Sequence, residues 1–445
     1  MSSILEEAAT TFDVSMDGKR EMLDEARTLE LLSKIDSSNT TTITRIKLSN
    51  KSFGNEAVAV LAPKLASLIN LQVADLSDII AGRETSIGLN VLSTISEALS
   101  QSPHLVEVDL SENALGPRGV AACRPLLSSV ESLKRLTFNN DGLSAEAMNE
   151  IRDLLLFRGP DTPTALDKLH FWNNMSGDGG GTAIASVVEL SPLLSDFRLS
   201  STRCGSEGGA NILKALGARC TLRHVDLSDN TFGGAAAPLL RSLVSNNLQL
   251  ITLNLSDLSL ENEAVATVLE CLSVGVARPE MTFLDLSFNG VVDGHEVLKH
   301  FPAMVSNCPQ LKTFGFEENE IGSRGALRIS RGMSNSKALV NMNLKMCDIR
   351  DMGALAIARA YVGRSSGMLE MNGNMLSESV VQEMGNLLLD NNDLGSFSDN
   401  DEDGAEDEEE EGEEWASDIA EESTGNGKNN QGVDELSSQI SEMKV

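Results

Sequence analysis

The sequence is poor in aromatic residues, which make up 4% of it, with two Trp and a single Tyr. A hydrophobic fraction of 41% still allows a large core, so that core has to be aliphatic and regular rather than built around rings. Basic residues are scarce too: 35 Lys and Arg stand against 66 Asp and Glu, a net charge of −31. No Lys/Arg run interleaved with aromatics offsets this, which excludes nucleic acid as a partner and favours a basic protein. The first twenty residues lack a basic stretch followed by an apolar one, and no window approaches 18 uninterrupted apolar residues. A soluble, intracellular chain with no membrane insertion is expected. The six cysteines (Cys123, Cys204, Cys220, Cys271, Cys308, Cys347) form no Cys-x-x-Cys pair and read as small buried hydrophobes of a reducing compartment. There is no Gly-x-Ser-x-Gly segment and no phosphate loop ending in Gly-Lys-Ser/Thr, so no independent active site is expected.

A length of 445 residues would suggest about three domains, unless the chain is built from repeats. It is. A frame of Leu-x-x-Leu-x-Leu-x-x-Asn-x-Leu recurs, clearest at Val108–Leu115, Val225–Phe232 and Leu284–Val291. Its central apolar residue falls at Leu48, Leu76, Leu110, Phe138, Phe171, Leu199, Leu227, Leu255, Leu286, Phe316, Leu344 and Met371, at intervals of 27 to 34. The alternating part of each copy predicts a short strand. The part after the Asn position carries Gly or Ala and then apolar residues at i, i+3 and i+4, as in Gly205–Leu216, and predicts a helix. Such a unit cannot cover its apolar face alone, but stacked copies can. The expected fold is an α/β leucine-rich-repeat solenoid, a ribonuclease-inhibitor-like horseshoe with parallel strands on the concave face and helices on the convex one.

Three regions follow. Residues 1–42, with Met22, Leu23, Ala26, Leu29, Leu32 and Ile35 at helical spacing, read as an N-terminal helical cap. Residues 43–394 are the solenoid of about twelve units. Residues 395–445 read as a disordered acidic tail, because residues 399–422 hold 15 acidic residues and no Lys or Arg. The regular frame also disposes of two tempting motifs. The Gly-rich run Gly177–Thr182 sits at the same phase as Gly116–Gly119, Gly205–Gly208 and Gly322–Gly325, so it is a turn into a helix rather than a phosphate cradle. His295 and His300, five apart, lie about 140° from each other on a helix and do not make a metal site.

In this frame, the residue between the two strand apolars and the two after them face inward. They are mostly acidic: Asp75, Asp78, Asp109, Glu112, Asp226 and Asp229 are candidate partner-binding residues, with Asp285, Glu317 and Glu318. Lys47, His170, Arg198 and Lys345 are exceptions. One unit departs from the pattern. After Leu76 an inserted loop, in an interval of 34, puts Arg83 on the rim.

The segment Val73–Arg83, with Ser77-Asp78-Ile79-Ile80-Ala81-Gly82-Arg83 at its end, resembles the segment of Ran GTPase-activating proteins that holds their essential arginine. Asn140-Asp141-Gly142, Asn173–Asp178 with Gly180, and Asp196–Arg198 through Ser200–Arg203 to Gly205–Gly209 resemble the plant members of that family. The resemblance runs from about residue 43 to 390 and on to the acidic tail. It implies a GTPase activator acting in trans on Ran-GTP in nucleocytoplasmic transport, in the cytoplasm or at the nuclear envelope. It implies no cofactor of the chain's own, since GTP and Mg are carried by the partner GTPase. Arg83 matches the essential arginine and Asn140 an asparagine placed near the nucleotide, while Asp75 and Asp78 hold the Arg83 loop or contact Ran. An accessory Ran-binding protein is a further expected partner, and a monomer the expected state. The family is thought to act by ordering Ran's glutamine, which a side-chain amide suits because it both donates and accepts. The targeting domain of plant members, with its Trp-Pro-Pro motif, has no counterpart before Trp172, nor is the C-terminal domain of vertebrate members recognisable, which implies a freely cytoplasmic activator. The competing reading is a non-catalytic adaptor that clamps a basic protein on its acidic concave face, as ribonuclease inhibitors do. It leaves the Arg83 insertion unexplained.

Overall fold

Each copy of the frame folds as its two periods dictate. The computed structural model describes residues 10–15, 18–36, 39–159, 161–364, 367–388 and 394–401. In chain order the first elements are β1 (Thr11–Asp13), β2 (Glu21–Leu23), α1 (Glu25–Leu32), β3 (Arg45–Lys47), β4 (Lys51–Phe53), α2 (Asn55–Ala66), β5 (Val73–Asp75) and α3 (Thr85–Ser100). The strands continue as β6 (Glu107–Asp109), β7 (Arg135–Asn139), β8 (Lys168–Trp172), β9 (Asp196–Ser200) and β10 (His224–Asp226), and end at Met368–Glu370. Thirteen of them form one sheet in which each repeat pairs only with its neighbours, while β2 and β4 form a small parallel sheet of their own. The register is strict: Lys47, Asp75, Asp109, Thr137, His170, Arg198 and Asp226 stand in one inward row.

Helices close the outer side. In α3 the buried positions Val91, Leu92, Ile95 and Leu99 recur at three and four residues and face the sheet. Rings are few, as composition requires; Phe138 and Phe171 stack at 5.1 Å between centroids. Five of the six cysteines are buried, but Cys220 is exposed in the connection after the helix Ser206–Gly217 and so departs from the expected pattern.

Two devices turn the chain from strand to helix across the units that follow β3. The residue two after each central apolar position has positive φ, from Asn50, Asp78, Glu112 and Asn140 to Glu318, Met346 and Gly373. Left-handed backbone favours Asn, Asp and Gly, which is why those types recur there. The next residue is then buried, and in six of the twelve units it is an asparagine. Asn113 donates to the Leu76 and Leu110 carbonyls and accepts from the Ile79 amide. Asn230, Asn289, Asn319 and Asn374 bridge adjacent units in the same way.

Both boundaries of the solenoid lie further out than the sequence frame places them. The segment expected to be a helical cap does hold α1, but it opens with β1, the first strand of the long sheet, paired to β3. At the other end Leu394 bridges to Leu369, and Asn400 accepts from the Asn374 amide at 3.0 Å. One more asparagine step therefore follows residue 394. The rest of the expected tail, 402–445, lies outside the described residues, as does 1–9 of the cap.

Candidate functional site

The insertion after β5 forms a loop that turns back toward the N-terminal units. Arg83 is half-buried rather than extended on the rim. Its Nε donates to the Ser52 hydroxyl at 3.0 Å, and its Nη2 donates to the Ser52 carbonyl at 2.6 Å and the Leu23 carbonyl at 3.0 Å. Ser52, fully buried in β4, donates its own hydroxyl to the Ala81 carbonyl at 2.7 Å. The guanidinium thus ties the inserted loop to β2 and β4. None of its three bonds is to a carboxylate.

Asp78 is enclosed as well, which leaves it the first of its two expected roles, holding the loop, rather than an open contact. It is 4% exposed, with φ of 54°, and its Oδ2 accepts from Arg20 Nε and Nη2 at 2.8 and 2.7 Å. An ion-paired, buried carboxylate has little to offer a partner, so Asp78 is a loop-holding residue and not an open docking charge. Glu112 and Asn140 occupy the same left-handed position in the next two units and are exposed. Asn140 Nδ2 donates to Glu112 Oε2 at 2.7 Å, and Asn139 Nδ2 to Glu112 Oε1 at 2.9 Å. That fixes the Asn140 amide through its Nδ2. Arg83, Asp78 and Glu112 line one cleft of about 440 Å³ with Arg20, Glu84 and Arg118, over apolar Ile80, Leu89 and Leu92. The predicted residues Arg83, Asp78, Glu112 and Asn140 therefore share one edge of the sheet.

The others are placed elsewhere or are occupied. Asp75 Oδ1 accepts from Ser77 and its Oδ2 from Ser49. Asp109 accepts from the Ser111 amide, and burial, assisted by the neighbouring Asp75 charge, raises it above the usual carboxylate range. Asp226 holds the Ser228 turn and pairs with Arg198 at 3.0 Å, while Asp229 is exposed. These last two sit four strands beyond Asp109, roughly 19 Å at ordinary strand spacing. The inward row is thus partly self-satisfied: its aspartates double as turn-holders. Its middle is not acidic, since His170 pairs with Asp196 at 2.7 Å and Arg198 lies over Trp172 at 4.6 Å.

Sequence reasoning passed over Ser52, Arg20 and the character of Asp141. Asp141 stands at the asparagine step between Asn113 and Asn174; its Oδ1 accepts from the Asn113 amide at 2.9 Å, and its Oδ2 is buried without a partner. Burial pushes this carboxyl up to about 8, with Asp109 and Glu112 adding to the effect. An asparagine there donates to carbonyls, which Asp141 can do only as the protonated acid. The motif did carry a signal: an aspartate where the frame wants asparagine. The Gly-rich run behaves as a turn. It opens the helix Gly177–Glu189, and a Cβ on Gly180 or Gly181 would collide with Ser176 or Cys204.

A family model described as a leucine-rich repeat matches residues 101–122 and 219–237. The chain is a leucine-rich-repeat solenoid. In architecture it is similar to a solved chain from the complex of Rad7 and Elc1 in yeast, at a TM-score of 0.52 over 91% of each chain and 14% identity, a level that speaks to fold alone. In sequence the solenoid is similar to Ran GTPase-activating proteins. RAN GTPase-activating protein 2 of Arabidopsis thaliana is 42% identical over 128 residues, 28% of this chain and 23% of that one. Ran GTPase-activating protein 1 of Saccharomyces cerevisiae is 25% identical over 295 residues, 63% of this chain and 72% of that one. The solenoid thus aligns with less than a quarter of the plant relative's length. Among the described residues, no helix is long and apolar enough to cross a membrane.

Proposed function

We propose that this solenoid stimulates GTP hydrolysis by Ran, acting in trans from the cytoplasm or the nuclear envelope and so giving nuclear transport its direction. The observation that carries the reading is the edge where the inserted Arg83 loop, Glu112 and the oriented Asn140 amide meet. The sequence relatives named Ran GTPase-activating proteins support it. Intrinsic hydrolysis is slow because the attacking water and the GTPase's glutamine are poorly ordered. With its amide held at Nδ2 by Glu112, Asn140 can accept at Oδ1 from a glutamine amide and hold it against the water. Arg83 would have to break three hydrogen bonds to reach a phosphate, at about 1 kcal/mol each. Its role is therefore to shape the docking edge, with the carboxylates of the concave face supporting approach. GTP and Mg come with the GTPase.

The test is activation of GTP-loaded Ran by catalytic amounts of the Arg83→Ala variant. A loss of about 10²-fold or more is expected, within the 10³–10⁵-fold range that activators supply. Full activation by the folded variant would remove Arg83 from the site. The adaptor reading loses Asp75 and Asp226 as open docking charges, because they are already occupied by Ser77, Ser49, Ser228 and Arg198.

A further inference from the structure

Resting on that reading, we infer that Arg20 is a positioning residue for the Arg83 edge, acting as a latch between the N-terminal segment and the inserted loop. The segment before β2 is fastened from below: the buried Lys51 ammonium donates to the Lys19 carbonyl at 2.8 Å, and the Glu21 amide donates to the Asn50 carbonyl at 3.1 Å. It is fastened from above by Arg20, whose Nε and Nη2 both reach Oδ2 of Asp78. Three residues on, the Leu23 carbonyl is one of the three acceptors of Arg83. Arg20 and Arg83 therefore grip the two halves of one joint. Arg20 crosses from the N-terminal segment to the inserted loop, and Arg83 crosses back.

The pair is one-sided. The Arg20 side chain is 63% exposed and that of Asp78 6%. An exposed guanidinium adds little to global stability. What it governs is local, because Asp78 Oδ1 is already buried without a partner. Without Arg20 neither oxygen of Asp78 has a side-chain partner, and a buried carboxylate in that condition draws in water or turns outward. Either response moves the backbone that carries Asp78 to Arg83, whose first residue is held in a left-handed conformation. The segment that supplies the Leu23 carbonyl loosens with it. Glu84, Glu112 and Arg118, the other charged groups lining the cleft, do not replace the lost contact, since none of them bonds to Asp78.

The experiment uses the full chain with Arg20→Met, which keeps length and removes charge, and Arg20→Lys, which keeps charge. Amide hydrogen exchange is followed at Glu21–Leu23 and at Arg83, and single-turnover activation of GTP-loaded Ran is followed in parallel. Arg20→Met is expected to speed exchange at both places, leave the melting temperature nearly unchanged, and lower the maximal activation rate about tenfold with KM little altered. Arg20→Lys should restore both. Unchanged exchange would overturn the latch. Unchanged or increased activation would also overturn the positioning role, the increase meaning that the segment masks Arg83. A raised KM with the maximal rate intact would make Arg20 a contact for the partner instead. If the wild-type chain fails to activate Ran, the functional reading falls while the exchange measurements still decide the latch.

Discussion

At the scale of single residues, burial and orientation separate the roles that charge alone does not. Asp78 and Glu112 look alike in the frame, yet one is sealed under Arg20 and the other grips Asn140. Asp141 shows the same divergence with a measurable consequence. Its carboxyl lies at about 8 in the folded chain against an ordinary 3.8, so the folded state holds the proton more tightly. The stability it contributes is complete below pH ~4 and is lost as pH rises through about 8. Asp141→Asn restores the amide step and should raise stability by about 1–3 kcal/mol at pH 9, a gain that shrinks toward pH 5. Chemical denaturation across that range checks it; equal gains at both ends would mean that the proton is not involved. Little of this was legible in the sequence. The position of Arg83 could be read from the insertion, but its direction could not, because its acceptors lie 31 and 60 residues away in the chain.

Among elements, the repeating turn is what made the fold readable. Strand alternation, the left-handed position and the asparagine step recur at fixed phase, so strand and helix could be placed from the frame. The exception is β1. Its unit opens an interval of 34, from Val14 to Leu48, and offers no clear asparagine step, so α1 alone was visible and the segment read as a helical cap. The asparagine steps carry much of the cohesion between units. Asn289→Ala would strip partners from the Leu258 and Leu260 amides and the Leu255 and Leu286 carbonyls. A loss of roughly 3 kcal/mol is expected, concentrated in the later repeats because solenoid units contact only their neighbours. Activation of Ran well below the melting temperature should be unchanged, since the Arg83 edge lies at the other end. A loss of activation in the folded variant would show that the edge depends on the whole solenoid.

For the whole molecule, the excess of 66 acidic over 35 basic residues sets how a partner approaches. Charge steering of that kind weakens as the Debye length shrinks from about 10 Å at 0.1 M salt to about 3 Å at 1 M. The activation rate at limiting concentration should fall several-fold over that range while the saturated rate holds; a fall in the saturated rate alone would argue against steering. The acidic tail is tested best by truncation after residue 401. Cutting at 395 would also remove the Leu394 bridge and the Asn400 step, confusing loss of charge with loss of the last repeat. Removal of 402–445 should leave most of the activity, and a large loss would give the tail a part in binding.

The most direct test of the central claim is single-turnover GTP hydrolysis by GTP-loaded Ran, alone, with catalytic amounts of the wild-type chain, and with Arg83→Ala. Strong acceleration by the wild type that the folded variant loses is the expected result. A folded wild type that leaves the intrinsic rate of Ran unchanged would contradict it.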